Sequence, residues 1–165
     1  MKEAEQLTTQ QRYDQLFPVI SNAYNTQLMI RVVTGPFWKQ ATADQQQRMH
    51  DAFIRMGVST LATLFSGYSG EAFRILGDRP GPQETTIVET QIERQDKKPI
   101  PINYVTRTSG DRWYIVDVLL DKEISDLRVR QSEYRAILAR EGIDGLIGVL
   151  NSKADELLLA TKKPS

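Results

Sequence analysis

The 165-residue chain contains no cysteine, which excludes disulfides and thiolate metal sites outright. It holds a single histidine, His50, and no HxxxH or HExxH spacing that would place two metal ligands on one helix face. Neither sign of charge is in surplus: Lys and Arg total 21, Asp and Glu total 21. Nucleic-acid binding needs a basic excess to displace counterions from phosphates, so that class is excluded. No apolar run approaches the ~18 residues that span a bilayer. The longest candidates, such as Tyr114 to Leu120, are only strand-length. A G-x-S-x-G elbow, a P-loop and a Gly-rich dinucleotide fingerprint are all missing. The stretch from Met1 to Gln11 is polar and carries no apolar core of a secretory signal. Either the protein stays where it is made or a leader has been removed, and the residues leave both open.

What is present reads as one globular unit. Hydrophobic residues at 40% and charged residues at 25% are ordinary for a folded domain. The length suffices to bury roughly 70% of the extended surface. Residues 1–12 are expected to be disordered or frayed, and residues 13–160 to form a single domain. Tyr13, Leu16, Phe17 and Ile20 recur at helical spacing, as do Leu28, Met29, Val32 and Val33. Pro18 predicts a break or a helix start in the first of these, and Thr34-Gly35-Pro36 stops the second. The clearest helix follows. Thr42 and Gln45 form a capping-box pattern, then Met49, Phe53, Met56, Thr60 and Leu64 make one stripe, widened by Leu61 and Phe65. Gly67 and Gly70 end it.

The period then changes. Glu71 to Leu76, Glu84 to Glu93, Ile100 to Thr108 and Arg112 to Leu120 are rich in β-branched and aromatic residues, with turn-forming segments between them. Short connections predict a four-stranded antiparallel meander. One face offers Val88, Thr90, Ile92, Ile102, Tyr104, Trp113 and Ile115. The other offers Ile87, Val105, Tyr114, Val116, Val118 and Leu120. Pro99 and Pro101 lack N–H donors on the same strand edge, so that strand should start unpaired on one side. Ser125 caps a helix carrying Leu127, Tyr134, Ile137 and Leu138 that Gly142 closes; Asp144 caps a last one through Ile147, Leu150, Ala154, Leu157 and Leu158. Helices, strands, then helices again predict an α+β fold with helices from both chain ends packed on one sheet.

Candidate chemistry is sparse. His50 falls off the Met49–Phe53–Met56 stripe and reads as a solvated surface residue. Asp117 lies within the apolar strand Tyr114-Ile115-Val116-Asp117-Val118, where an unpaired carboxylate is costly. Arg107 or Arg112 is its expected partner; a catalytic base is the alternative. The arginines between Arg128 and Arg140 read as a solvated helix face, or as a docking surface for acidic headgroups or a partner protein. Met29, Met49 and Met56 fit either an adaptable cavity or an ordinary core. Periodicity alone does not separate a filled core from a hollow one.

An ordered set of segments resembles the MlaC or toluene-tolerance family of periplasmic lipid-transport proteins. Gly35-Pro36-Phe37-Trp38-Lys39-Gln40-Ala41-Thr42 and the capped helix after it are similar to the family's opening, Phe53 to an aromatic of its long helix, and Tyr68-Ser69-Gly70-Glu71 to its turn into the first strand. Pro99-Ile100-Pro101-Ile102-Asn103-Tyr104 and Trp113-Tyr114-Ile115-Val116-Asp117-Val118 resemble its third and fourth strands. Ile124-Ser125, Tyr134, Ile137, Leu138 and Gly142-Ile143-Asp144-Gly145-Leu146-Ile147 complete the set, which runs from about Tyr13 to Leu150. The segment from Ile124 to Tyr134, with Val129-Arg130-Gln131, is closer to the hopanoid-associated branch, HpnM. The resemblance implies a periplasmic carrier whose leader has been removed and which needs no catalytic residues, metal or cofactor; no heptad seam marks a coiled-coil assembly, and a monomer is expected. It would bind a phospholipid or a hopanoid in an apolar cavity and exchange it with membrane complexes. Read onto this chain, the expected lining is Phe53, Met56, Leu61, Leu64, Ile75, Val88, Ile102, Tyr104, Trp113 and Ile115, with Phe73 and Val116 in reserve should strand parity be reversed. Two rival readings are an enzyme using Asp117, Tyr104 or His50 in an apolar pocket, and an adaptor with a filled core.

Overall fold

Four local caps fix most of the helix starts. In the computed structural model, which describes residues 7–64, 70–95, 97–121 and 123–159, α1 spans Thr9–Ala23. Thr8 Oγ1 accepts the Gln11 N–H (3.2 Å) while Gln11 Oε1 accepts the Thr8 N–H (2.8 Å), a reciprocal capping box. The helix therefore begins inside the segment expected to fray. Pro18 does not break it, contrary to the sequence-based expectation. Its ring lies on the exposed side of the helix, away from the packed core. Asn25 caps α2 (Thr26–Thr34) through the Leu28 N–H at 3.1 Å. Gly35 ends it at φ 55°, ψ −130°, a conformation that glycine alone adopts cheaply, and Pro36 opens the short α3 (Pro36–Gln40). The Thr42–Gln45 box caps α4 (Ala43–Leu64) with both bonds formed, at 3.2 and 3.0 Å. Phe65 and Gly67 lie outside the described residues.

The last helix, α5, runs from Asp126 to Leu159 and breaks helical geometry at Gly142 (φ 67°). Asp144 does not cap its second half; it reaches across to α4, accepting from Gln45 Nε2 and Arg48 Nη2, each at 2.7 Å. Helices α2, α4 and α5 close over one apolar core in which Ile30, Met49, Leu146 and Leu150 are almost fully buried. Each such side chain stabilises the fold by about 1.5–3 kcal/mol relative to exposure. Met29 and Met49 are packed here as core residues, and Phe53 joins them. On α1, the buried Arg12 donates from Nε to the Ala62 carbonyl (2.8 Å), tying the first helix to the end of α4.

The sheet is an antiparallel meander in sequence order: β1 (Ala72–Pro80), β2 (Thr86–Arg94), β3 (Lys97–Ser109), β4 (Arg112–Leu120) and β5 (Ile124–Ser125). The fifth strand, two residues against Leu119 and Leu120, goes beyond the four expected. The first strand also continues through Gly77 to Pro80, past its expected end at Leu76, by bulging between Ile75 and Gly77. As expected from Pro99 and Pro101, β3 pairs only with β2 over Lys97–Pro101; its β4 partners begin at Ile102, opposite Leu120.

One extra residue in β4 changes the faces. Val105 opposes Asp117 while Thr106 opposes Ile115, so Val116 is a bulge residue without a partner of its own. Residues opposed across a ladder share a face. Val118 therefore falls in line with Tyr104 and Val88, and Leu120 with Ile102. The expectation that Val118 and Leu120 share a face with Tyr114 and Val116 is thereby corrected. A single inserted residue inverts every side chain after it.

The helical layer meets the sheet mainly along β4. The Asn25 N–H donates to the Ile115 carbonyl at 2.9 Å, and Tyr24 lies beside Ile115 in a parallel bridge. Leu28 of α2 covers a small cluster of Ile87, Val105 and Val116.

Candidate functional site

The two faces of the sheet differ in kind. Away from the Leu28 cluster, one face is a polar ladder: Arg74 pairs with Glu93 (2.9 Å), and Arg79 pairs with Glu89 (2.9 Å) and with Glu123. The opposite face is apolar across four strands. Its central row is Val88, Tyr104 and Val118, flanked by Ile102 and Leu120 on one side and Ile115 on the other. Trp113 extends it toward the β3–β4 turn, and Phe73, Ile92 and Ile100 extend it toward the far end. The centre is half-buried, whereas the rim is open: Ile75 is 70% exposed, Trp113 59% and Phe73 48%. Exposed apolar side chains gathered on one face of a sheet make it the candidate binding surface of this fold.

All six expected lining residues on strands, Ile75, Val88, Ile102, Tyr104, Trp113 and Ile115, lie on this face. Phe73, held in reserve for reversed parity, lies there too, opposite Ile92. Val116, the other reserve residue, is buried in the Leu28 cluster. The helix residues diverge. Phe53 is buried in the helical core, Met56 and Leu61 are half-buried, and Leu64 stands exposed at the end of α4.

A polar cluster joins the helical body to this face, and it was not anticipated from the sequence. Arg130 Nε donates to Asp126 Oδ2 at 2.6 Å, its guanidinium lies 5.8 Å from the Phe53 ring centre, and Tyr134 lies close enough to act on its charge. Burial opposes the charge of Arg130, but Asp126 and Tyr134 outweigh it and raise its pKa above the ordinary value. Tyr24 is pushed well above the usual phenol range, first by burial and then by Tyr104 and Asp126. Burial likewise raises Tyr104. These phenols stay protonated across the physiological range, so they offer O–H donors, that of Tyr104 from within the apolar surface. The signal in the sequence was the i, i+4 spacing of Asp126, Arg130 and Tyr134 on one helix face.

This combination of meander sheet, helices from both chain ends and an open apolar face has a match among known proteins. The family described as MlaC protein covers residues 1–152. The chain belongs to the MlaC family. A solved structure of a phospholipid-binding protein from Ralstonia solanacearum, in complex with a phospholipid, is similar to it at TM-score 0.81 and 18% identity, covering 95% of this chain and 88% of that one. At that identity the likeness speaks for the fold.

In this MlaC chain the candidate catalytic groups occupy separate places. His50 is half-buried on α4, not solvated as expected, because its ring meets Thr26 Oγ1 at 3.0 Å in a crevice with Tyr13, Phe17 and Ile54. Asp117 has no arginine partner among the described residues. Its Oδ1 accepts the N–H groups of Val118 (2.8 Å) and Leu127 (3.1 Å), and its Oδ2 accepts the Ser125 hydroxyl (2.5 Å). Backbone amides satisfy the carboxylate where an ion pair was expected, and Ser125 in turn accepts the Arg128 N–H as the helix cap. Of the arginines on α5, Arg128, Arg135 and Arg140 are exposed as expected, while Arg130 is drawn under by Asp126. Among the described residues no three His, Cys, Asp or Glu side chains converge as metal ligands, and no helix is long and apolar enough to cross a membrane.

Proposed function

We propose that this MlaC family member is a periplasmic lipid carrier whose apolar sheet face receives the hydrocarbon of a phospholipid. It then shuttles that lipid, as a monomer, between membrane complexes that load and unload it. The observation that carries the reading is the open apolar face centred on Val88, Tyr104 and Val118. Family membership supports it, as does the phospholipid in the Ralstonia structure of the same fold. The proposed lining is Ile75, Val88, Ile102, Tyr104, Trp113 and Ile115 on the sheet, with Met56, Leu61 and Leu64 on α4. Phe53, also expected in the lining, is packed in the helical core instead.

The energetics explain why such a protein needs a surface and no covalent chemistry. Each buried methylene is worth roughly 0.8 kcal/mol, so a ~16-carbon chain in water costs on the order of 10 kcal/mol. A carrier must offset a comparable amount with dry contact area. It must also let go, so the donor and acceptor complexes have to change access to the face. Tyr24 and Tyr104 add hydroxyl donors where an ester or headgroup oxygen would emerge.

The test is native mass spectrometry of gently purified protein, followed by organic extraction. A bound phospholipid supports the reading, and a bound hopanoid would keep the carrier while changing its cargo. Protein that purifies empty, and takes up no lipid when mixed with phospholipid vesicles after delipidation, would sink it.

A further inference from the structure

The geometry points to a second binding site, for a phosphate-bearing group, in a polar crevice on the sheet face opposite the apolar one. The crevice, about 460 Å³, lies between α2 and the turn end of the β3–β4 hairpin. Arg31 of α2 and Arg107 of β3 both line it. Arg107 opposes Tyr114, one residue out of phase with the Thr106–Ile115 and Thr108–Trp113 pairs, and so faces away from the apolar surface.

The argument rests on charge. Six arginines, Arg48, Arg55, Arg74, Arg79, Arg130 and Arg140, each pair with a carboxylate. Arg31 and Arg107 have no ion-pair or side-chain hydrogen-bond partner among the described residues, and no carboxylate lines the crevice they share. A third guanidinium, that of Arg112, stacks 5.2 Å from the ring centre of the lining Tyr114. In a chain whose formal charge is zero, that is a local excess. Guanidinium groups only donate hydrogen bonds, so two of them, both exposed, present the crevice with donors that suit an anionic acceptor.

The donor set favours phosphate over carboxylate. Donors approach from α2 (Arg31, Gln27), from β3 (Arg107) and from the hairpin end (Ser109). A carboxylate is planar and is satisfied by one fork, whereas a tetrahedral oxyanion accepts from several directions at once. The volume falls in the ~300–1,000 Å³ range of small-ligand pockets, which leaves room for the alcohol esterified to the phosphate. Two sources share this chemistry: a soluble phosphoester, and the headgroup of an anionic lipid in a membrane surface.

The experiment is a titration of ¹⁵N-labelled protein, observed at the arginine Nε–Hε and backbone amide signals, with sn-glycerol 3-phosphate as probe. Cosedimentation with phosphatidylglycerol vesicles, against phosphatidylcholine vesicles, forms the second arm. Saturable shifts at Arg31, Arg107, Thr108 and Ser109 are expected, with binding weakened about tenfold or more in Arg31→Gln and in Arg107→Gln. Arg135→Gln, an exposed arginine on α5, should leave it unchanged. Vesicle binding lost in the same two variants identifies a lipid headgroup; response to glycerol 3-phosphate alone identifies a soluble ester. No saturable response in either arm, or equal weakening by Arg135→Gln, overturns the site. Because the crevice and the apolar face lie on opposite sides of the sheet, lipid loading is a separate readout that these variants leave intact.

Discussion

The Leu127 N–H donates to the Asp117 carboxylate at 3.1 Å, so a residue in the middle of β4 caps the first turn of the helix that follows. The same carboxylate holds Ser125, itself the hydroxyl cap of Arg128. Replacing Asp117 with Ala removes all of these acceptors at once. The expected loss is about 1–3 kcal/mol of stability, read from urea denaturation. Asp117→Asn keeps one carbonyl oxygen for the amides and should lose less than the Ala variant. Equal losses in the two would show that the cap is not what Asp117 provides.

Val118 carries the register of the fourth strand. The bulge at Val116 places it in the central row of the apolar face beside Tyr104. Val118→Asp is therefore expected to leave a folded protein, judged by circular dichroism, that no longer co-purifies with lipid. Full lipid loading in that variant would mean the face is not the seat. Trp113, mostly exposed on the same face, should shift its emission to the blue when lipid is added to delipidated protein. Trp113→Phe should remove that shift and leave the signal of Trp38.

Arg130 and Asp126 form a pair in which each side chain keeps only about a quarter of its exposure. Asp126→Ala leaves the guanidinium under the protein without its counter-charge. Breaking a fully buried pair costs about 3–5 kcal/mol; residual solvent access reduces the expected loss here to about 1–3 kcal/mol. The double variant Asp126→Ala, Arg130→Met should recover part of it. A thermodynamic cycle with no coupling between the two positions would contradict the pairing.

Asp144 is held below the usual carboxylate range by hydrogen bonds from Gln45 and then Arg48. A lowered folded-state pKa means that its contribution is complete above the unfolded value, about pH 4, and is lost as pH falls through the folded one. Asp144→Asn should therefore lie below the parent in Tm at neutral pH, and the gap should close in acid. A gap that stays constant from neutral to acid pH would count against the clasp between α4 and α5.

Much of this arrangement was readable from local chemistry. The Thr42–Gln45 box and the 3.6-residue stripe after it specify α4, and the turn-rich segments between β-branched runs specify a meander. The strand residues of the apolar face followed from simple alternation as far as Ile115. Beyond that point alternation misleads, because Val116, Val118, Leu119 and Leu120 are all apolar and nothing in their order marks which one is unpaired. Phe53 shows the same limit on a helix: a stripe says that a side chain is covered, without saying by what. Asp117 found its partners in amides along the chain, which residue-type pairing rules overlook. Pro18 stayed within α1 with its ring on the exposed side, a fact of tertiary placement.

A greasy sheet with an open side invites another strand to join it. Over Lys97–Pro101, β3 has no neighbour on its β4 side among the described residues, and Pro99 and Pro101 there have no N–H to offer an incoming backbone. An incoming strand would therefore find few backbone donors along this stretch of the β3 edge, next to the apolar face.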